Sequence, residues 1–434
     1  MIEIMISTAE RLIWSYLTIP LLISISLVFT FYLKGSQFQF KKMVRSLAKK
    51  TPNSRVSPLQ SLALALASRV GVGSLAGVSL AIYTAGPGSI FWMWISVFIT
   101  TAASFIESTL AQIYKMKDQT GFVGGPAYYI QNGLKNRTFA MIYALVIILA
   151  YTLGFSAVQM NTIATSFESS LSIPPIITGI ALAVVTSLII FGGISAITKL
   201  VSKVVPIVAI FYVGLGLVVF LTHLNYVPTF ITTIITDAFK PAPFVGGTMM
   251  FTVLTGMKRG IFSNEAGLGS GAHAAAVTNN EYPTEQGYIQ AFGVYLTTLI
   301  VVTITAFLIM VTDAANIGIH SGNGIELTEF AMIALFGRIG GPLLALSIFF
   351  FGFSTVLTAY FYGEANVKFL TNNYKMLIAL RLLVIGVVFI SAISSARMIW
   401  SLVDIGTGVT AIINLFAILL LSSQVKSYLA REQL

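Results

Sequence analysis

The chain has 434 residues, 56% of them hydrophobic and only 9% charged, with a mean hydropathy of +0.89. Soluble domains carry roughly 25% charged residues, so this composition excludes a soluble globular protein and places the chain in a bilayer. The lack of cysteine excludes disulfides and thiolate metal sites; His223, His273 and His320 show no zinc spacing; and the net charge of +10 bears on topology, with no nucleic-acid partner expected.

Glu3, Glu10 and Arg11 precede the first apolar run, so the N-terminus does not follow a cleavable-signal pattern and reads as a retained anchor. That run predicts a first span over Leu12–Tyr32. A loop with Lys34, Lys41, Lys42, Arg45, Lys49, Lys50 and Arg55, and no acid, follows it. Positive residues stay in the cytoplasm, so the N-terminus is placed outside. Further spans are expected over Pro58–Thr84, Ser89–Tyr114, Thr138–Phe167, Pro175–Phe191, Ile194–Leu221, Phe244–Val277, Glu285–Val311, Leu343–Phe369, Leu377–Ile393 and Ile399–Ser422. Each approaches or exceeds the ~20 residues that cross a bilayer as a helix.

Eleven spans leave the C-terminus in the cytoplasm. Of the 25 Lys and Arg, Arg69, Lys258 and Arg259 fall at membrane depth, Arg11, Lys240, Arg338 and Arg397 fall outside, and the others fall inside. A wrong span count would scramble that asymmetry. The moderately apolar Gly322–Phe336 reads as an amphipathic lid helix over the extracellular mouth, with a full span as the alternative.

The stretch Phe244–Val277 holds Gly256, Gly260, Gly267, Gly269 and Gly271, with Lys258, Arg259 and Glu265 near its centre. Charges in hydrocarbon face a cavity or a partner, and a polar, interrupted span suggests a broken helix with exposed backbone ends. A helix packed through its glycines, with paired charges, is the plainer alternative. The second span is similar, with Gly71, Gly73 and Gly77. If the first span is accessory, the two broken spans each open a block of five helices. An odd number of helices per block inverts one block against the other. At such breaks, free N–H groups suit a carboxylate and free C=O groups suit Na⁺ or an ammonium, so an amino acid fits. Gly71-x-Gly73 fails as a nucleotide loop because no strand precedes it. Gly73-x-x-x-Gly77 also reads as a helix-packing motif.

Several runs resemble the alanine or glycine:cation symporter family, of the amino acid-polyamine-cation superfamily. They are Arg69-Val70-Gly71-Val72-Gly73, Leu75-Ala76-Gly77-Val78, Gly86-Pro87-Gly88-Ser89-Ile90-Phe91-Trp92-Met93-Trp94 and Gly124-Gly125-Pro126-Ala127-Tyr128-Tyr129-Ile130. Val158-Gln159-Met160-Asn161 and Tyr362-Gly363-Glu364 also fit. The most specific is Lys258-Arg259-Gly260-Ile261-Phe262-Ser263-Asn264-Glu265-Ala266-Gly267-Leu268-Gly269-Ser270. The resemblance implies an all-α integral membrane protein with a leucine-transporter-like fold. It would have one accessory helix (residues 1–56 with its basic loop), inverted five-helix repeats over 57–222 and 223–422 with discontinuous core helices 1 and 6, and a cytoplasmic tail over 423–434. It also implies secondary active uptake of a small neutral amino acid across the cell membrane, with Na⁺ or H⁺ as coupling ion and no organic cofactor.

Carried over by position, Val72 and Gly73 would offer N–H groups to the substrate carboxylate, and Gln159 and Asn161 would face the substrate. Thr255 and Gly256 would lie at the second break. Ala67, Val70, Phe351, Ser354 and Thr355 would hold Na⁺, although hydroxyls on an apolar span also bond back along their own helix. Two departures from the family stand out. Ser74 replaces a usual Asn, and Thr358-Ala359 replaces Gly-Trp, which would widen the pocket toward serine or glutamine. Lys258 and Arg259 either stand in for a cation near the substrate or pair with Glu265, Glu107 or Asp404 as locks between helices. An uncoupled carrier or a non-transporting sensor of the same fold remains open. An intramembrane enzyme lacks a nucleophile–base pair or metal cluster.

Overall fold

The computed structural model describes residues 2–49, 51, 55–118, 121–240, 249–314 and 324–432. α1 (Ile2–Arg11) and α2 (Ile19–Tyr32) are joined through a wide π turn into one long helix, and α3 (Phe40–Ala48) follows in the basic loop. α4 (Pro58–Arg69) begins with a capping box in which Ser57 and Gln60 each satisfy the other's backbone, with Pro58 in the first turn. After a tight turn at Val72–Ser74 the chain resumes as α5 (Ala76–Ala85), bent by 63° from α4.

α6 (Ser89–Ile113) leads into a hairpin of β1 (Met116–Asp118) and β2 (Gly121–Val123), with Lys117 opposite Phe122, and then α7 (Pro126–Gly133). α8 (Arg137–Ile147), capped by the Asn136 side chain, passes through a π segment, Ile148–Phe155, into α9 (Ser156–Leu171). α10 (Pro175–Ile190), α11 (Gly193–Thr222) and α12 (Val227–Ala238) follow.

α13 (Met249–Asn264) and α14 (Ser270–Ala276) form the second interrupted segment. α15 (Pro283–Tyr295) and α16 (Thr303–Val311) are again joined by a π segment. α17 (Glu326–Phe336), α18 (Gly340–Leu370), α19 (Tyr374–Ala392) and α20 (Ala396–Arg431) end the chain.

Among the described residues, eight helices are long and apolar enough to cross a membrane, and the bent pair α4–α5 makes a ninth. Two expected spans fall short of that test. α10 is apolar but short, and Phe244–Val277 begins outside the described residues and continues as the shorter α13 and α14. The expected lid corresponds to α17, with residues 322 and 323 outside the described residues. Gly337, at φ +63, turns α17 back onto α18, and the Thr328 hydroxyl donates to the Leu75 carbonyl at the start of α5.

α6 and α18 are buried along most of their length and form the centre. α6 packs against α2, α13, α14 and α15, and α18 against α4, α9, α11 and α17. Lys49 bonds Glu285 at 2.5 Å, and the Thr284 hydroxyl donates to Glu432, so α3, the start of α15 and the end of α20 share one face. The Glu285 carboxylate holds the Lys49 amino group above the usual lysine range.

Not every glycine marks a break. Gly77 packs against nothing within 4 Å, whereas a Cβ on Gly256 would strike the Ser89 carbonyl and lie 2.7 Å from Trp92 Cβ. Gly256→Val should therefore collapse the yield of monodisperse protein in detergent, since overpacking costs typically ~1–3 kcal/mol. Gly77→Ala should elute as wild type, and size-exclusion chromatography checks both.

Candidate functional site

α4 ends at Val70, where the chain leaves helical geometry and passes through Gly71 to the turn at Val72–Ser74. In hydrocarbon, the peptide groups freed there need partners. The Val72 N–H finds one by donating to Gln159 Oε1 on α9 at 2.9 Å. Gly71 is tightly enclosed, because a Cβ there would lie 2.5 Å from Thr355 Oγ1 and 2.9 Å from Gln159 Oε1. Thr355 on α18 donates across to the Ala67 carbonyl of α4 at 2.7 Å and along its own helix to Phe351 at 2.8 Å. Ala67, Phe351, Thr355, Gln159 and the break thus come together. Gln159 Nε2 is buried with no hydrogen-bond partner among the described residues. The free donor beside the break is therefore the Gln159 amide, since the Val72 N–H is already engaged.

The second break differs from the expected one. α13 runs unbroken through Thr255 and Gly256 and ends at Asn264. Glu265 (φ +55), Gly267 (φ +80) and Gly269 (φ +82) adopt the left-handed conformation that stops it. Gly256 serves close packing on α6, and Thr255 lines a cavity with Trp14 and Lys258, away from the break.

The two breaks meet directly. Ser74 Oγ lies 2.7 Å from Ser263 Oγ, Ser68 donates to Glu265 Oε1 at 2.5 Å, and Ser270 donates to the other Glu265 oxygen. Gly73 lies against Phe262, whose ring stacks on Phe155 at 4.7 Å.

Other expected residues are engaged by bonds of their own. Asn161 donates to the Ser391 and Ser394 carbonyls at 3.0 and 2.7 Å, closing the end of α19. The Ser354 and Thr358 hydroxyls bond back to Phe351 and Ser354, both at 2.9 Å. The Ala359 carbonyl accepts from Thr152. Gly71, Ser68, Phe262 and Ser263 stand at the site although the family carry-over did not assign them. The close-packed glycine in Arg69-Val70-Gly71 was the available signal.

The charges near the second break pair away from it. Lys258 bonds Glu10 at 2.5 Å and Asp404 at 3.0 Å, and Arg259 bonds Asp404 at 2.7 Å while lying over Trp400 at 4.9 Å. Of the three expected partners, Asp404 is used, joined by Glu10 on α1. Glu265 and Glu107 are not partners of these cations. Glu107 instead accepts from the Gly269 N–H at 2.9 Å and from Asn414 at 2.7 Å.

A profile of the sodium:alanine symporter family matches residues 1–432. The chain belongs to that family. It is 39% identical over 98% of its length, and 89% of the relative's, to the probable sodium/glutamine symporter GlnT of Bacillus subtilis. It is 33% identical to the sodium/alanine symporter AgcS of Methanococcus maripaludis, over 98% and 95% of the two chains. A substrate-bound, outward-open Na⁺-coupled sialic acid symporter superposes with a TM-score of 0.55 over 89% of this chain and 82% of that one. At 12% identity, that likeness is one of fold.

In this family member, the Asp404 cluster ties α13 to α20 and to α1. Asp404→Asn leaves two partly or fully buried cations short of their counter-charge and should cost about 3–5 kcal/mol. Glu10→Gln should cost less, because Asp404 still holds Lys258. Thermal melting in detergent ranks the two, with Asp404→Asn the lower.

Proposed function

We propose that the protein is a Na⁺-coupled symporter that brings a small neutral amino acid into the cell by alternating access. The observation that carries this reading is the convergence of the buried, unpaired Gln159 amide and the Thr355 hydroxyl on Gly71, at the break between α4 and α5. Gln159 Nε2 and the Gly73 N–H would receive the substrate carboxylate, while Val72 fixes the orientation of Gln159. Thr355 already holds the Ala67 and Phe351 carbonyls within reach of its hydroxyl. A Na⁺ there would take the hydroxyl oxygen and those carbonyls as ligands, with Val70 and Ser354 as the further ligands that the family resemblance implies.

In this reading the chain crosses the plasma or inner membrane eleven times, with the N-terminus outside and the C-terminus in the cytoplasm. The accessory segment 1–56 precedes inverted repeats over 57–222 and 223–422, and α4–α5 and α13–α14 are the first helices of the two repeats. Rocking of one part against the other exposes the breaks to either side in turn. Thr358 and Ala359 form a pocket wall without a large ring, which favours substrates beyond alanine and glycine. The glutamine named for the Bacillus subtilis relative supports that extension.

Labelled L-alanine uptake into proteoliposomes tests the reading. Accumulation should require an inward Na⁺ gradient at fixed pH and vanish in Thr355→Val. Gln159→Leu should raise the alanine KM about tenfold or more, as expected for a lost hydrogen bond to a charged group. In competition, serine and glutamine should displace labelled alanine, and a cutoff at alanine would refute the widened pocket. Accumulation driven by a proton gradient alone would refute Na⁺ coupling.

A further inference from the structure

Two groups of buried charges lie near the second break, with different balances. In the outer group Lys258 and Arg259 face Glu10 and Asp404, and the signs cancel. In the inner group Arg69, 1% exposed, lies among Glu107 and Glu265, both fully buried. Arg69 bonds the Gln290 carbonyl at 2.9 Å and Ser104 at 3.3 Å and forms no ion pair among the described residues. One cation thus stands against two carboxylates. An uncompensated charge at this depth costs several kcal/mol.

The surroundings of Glu265 show where compensation fits. Both of its oxygens accept hydrogen bonds from serine hydroxyls, Ser68 on α4 and Ser270 on α14, as an ionised carboxylate does. Tyr151, on the π segment before α9, faces Glu265 and Ser270, and Tyr362, on α18, faces Glu265 and Ser68. The two rings lie 6.1 Å apart and both side chains are fully buried, with the Tyr151 hydroxyl beside Ser270 and the Tyr362 hydroxyl beside Ser68. Hydroxyl oxygens that donate their protons keep lone pairs, and a buried cluster of them beside a carboxylate can ligate a cation. The set is all oxygen, which suits a hard cation. It also draws residues from α4, α14, α18 and the π segment that leads into α9.

We propose that Glu265, Ser68, Ser270, Tyr151 and Tyr362 form a second Na⁺ site, separate from the position at Ala67 and Thr355. The proposal rests on the symporter reading and adds a charged ligand that bridges the two breaks. An ion there restores neutrality to the inner group and locks α4 to α14. Binding and release of this ion are thereby tied to the relative movement of the two broken helices.

Equilibrium binding of radioactive Na⁺ to purified full-length protein, counted as ions per protein, tests this without transport. Wild type should bind a second ion beyond the first, Glu265→Gln should lose one and keep the other, and Thr355→Val should do the same from the opposite side. Tyr151→Phe and Tyr362→Phe leave all charges in place, guard against a misfolded Glu265 variant, and should weaken one of the two ions several-fold. A single ion, lost in Thr355→Val and unchanged in the Glu265 and tyrosine variants, would overturn the second site and leave the symporter reading standing; a proton held by Glu265 would give this pattern. No Na⁺ binding by wild type would overturn both.

Discussion

A helix that breaks in hydrocarbon must supply partners for every peptide group it frees, and the rest of this protein is arranged around that need. At the first break, Gln159 takes the Val72 N–H and Thr355 reaches the Ala67 carbonyl. At the second, the Gly269 N–H goes to Glu107 and the Gly267 carbonyl receives Asn414. Each partner comes from a different helix, so α9, α18, α6 and α20 are all pinned to the two breaks. The residues that satisfy the backbone are also the ones left with a spare donor or acceptor, such as Gln159 Nε2 and Glu107 Oε1. Satisfying the breaks and binding a ligand are therefore one structural problem.

The charges are separated according to their roles. Lys258, Arg259, Asp404 and Glu10 form a closed group that fastens α13 to α20 and to α1. Arg69, Glu107 and Glu265 lie among the breaks themselves, held by hydrogen bonds and not by ion pairs. A balanced group contributes little net stability but is costly to break, which makes it suitable as a latch. An unbalanced group responds to an added cation.

Much of this organisation is legible in the sequence, because a bilayer forces apolar runs into helices and positive loops to one side. The first break is legible too, since Gly71 and Gly73 lie where close approach is required. The second was misplaced because a glycine in a helix can serve packing, as Gly256 does, while the residue that stops α13 is Glu265, whose type does not advertise a left-handed backbone. Asn161 could have been rejected beforehand. Two residues along a helix turn by about 200°, so it cannot share a face with Gln159. Ser354, Thr355 and Thr358 are alike in sequence, and only the rotation of α18 selects Thr355 to reach α4. Glu10 as a partner of Lys258 is a purely tertiary neighbour with no local signal.

The central claim is that the first break holds substrate and sodium together, through Gln159 on one side and Thr355 on the other. Two sites so close must be coupled, and the coupling must be reciprocal. The direct measurement is alanine affinity with and without Na⁺, set against Na⁺ affinity with and without alanine, in the same purified protein. The account predicts that each ligand tightens the other by the same factor. Alanine and Na⁺ binding with no influence on one another would contradict it.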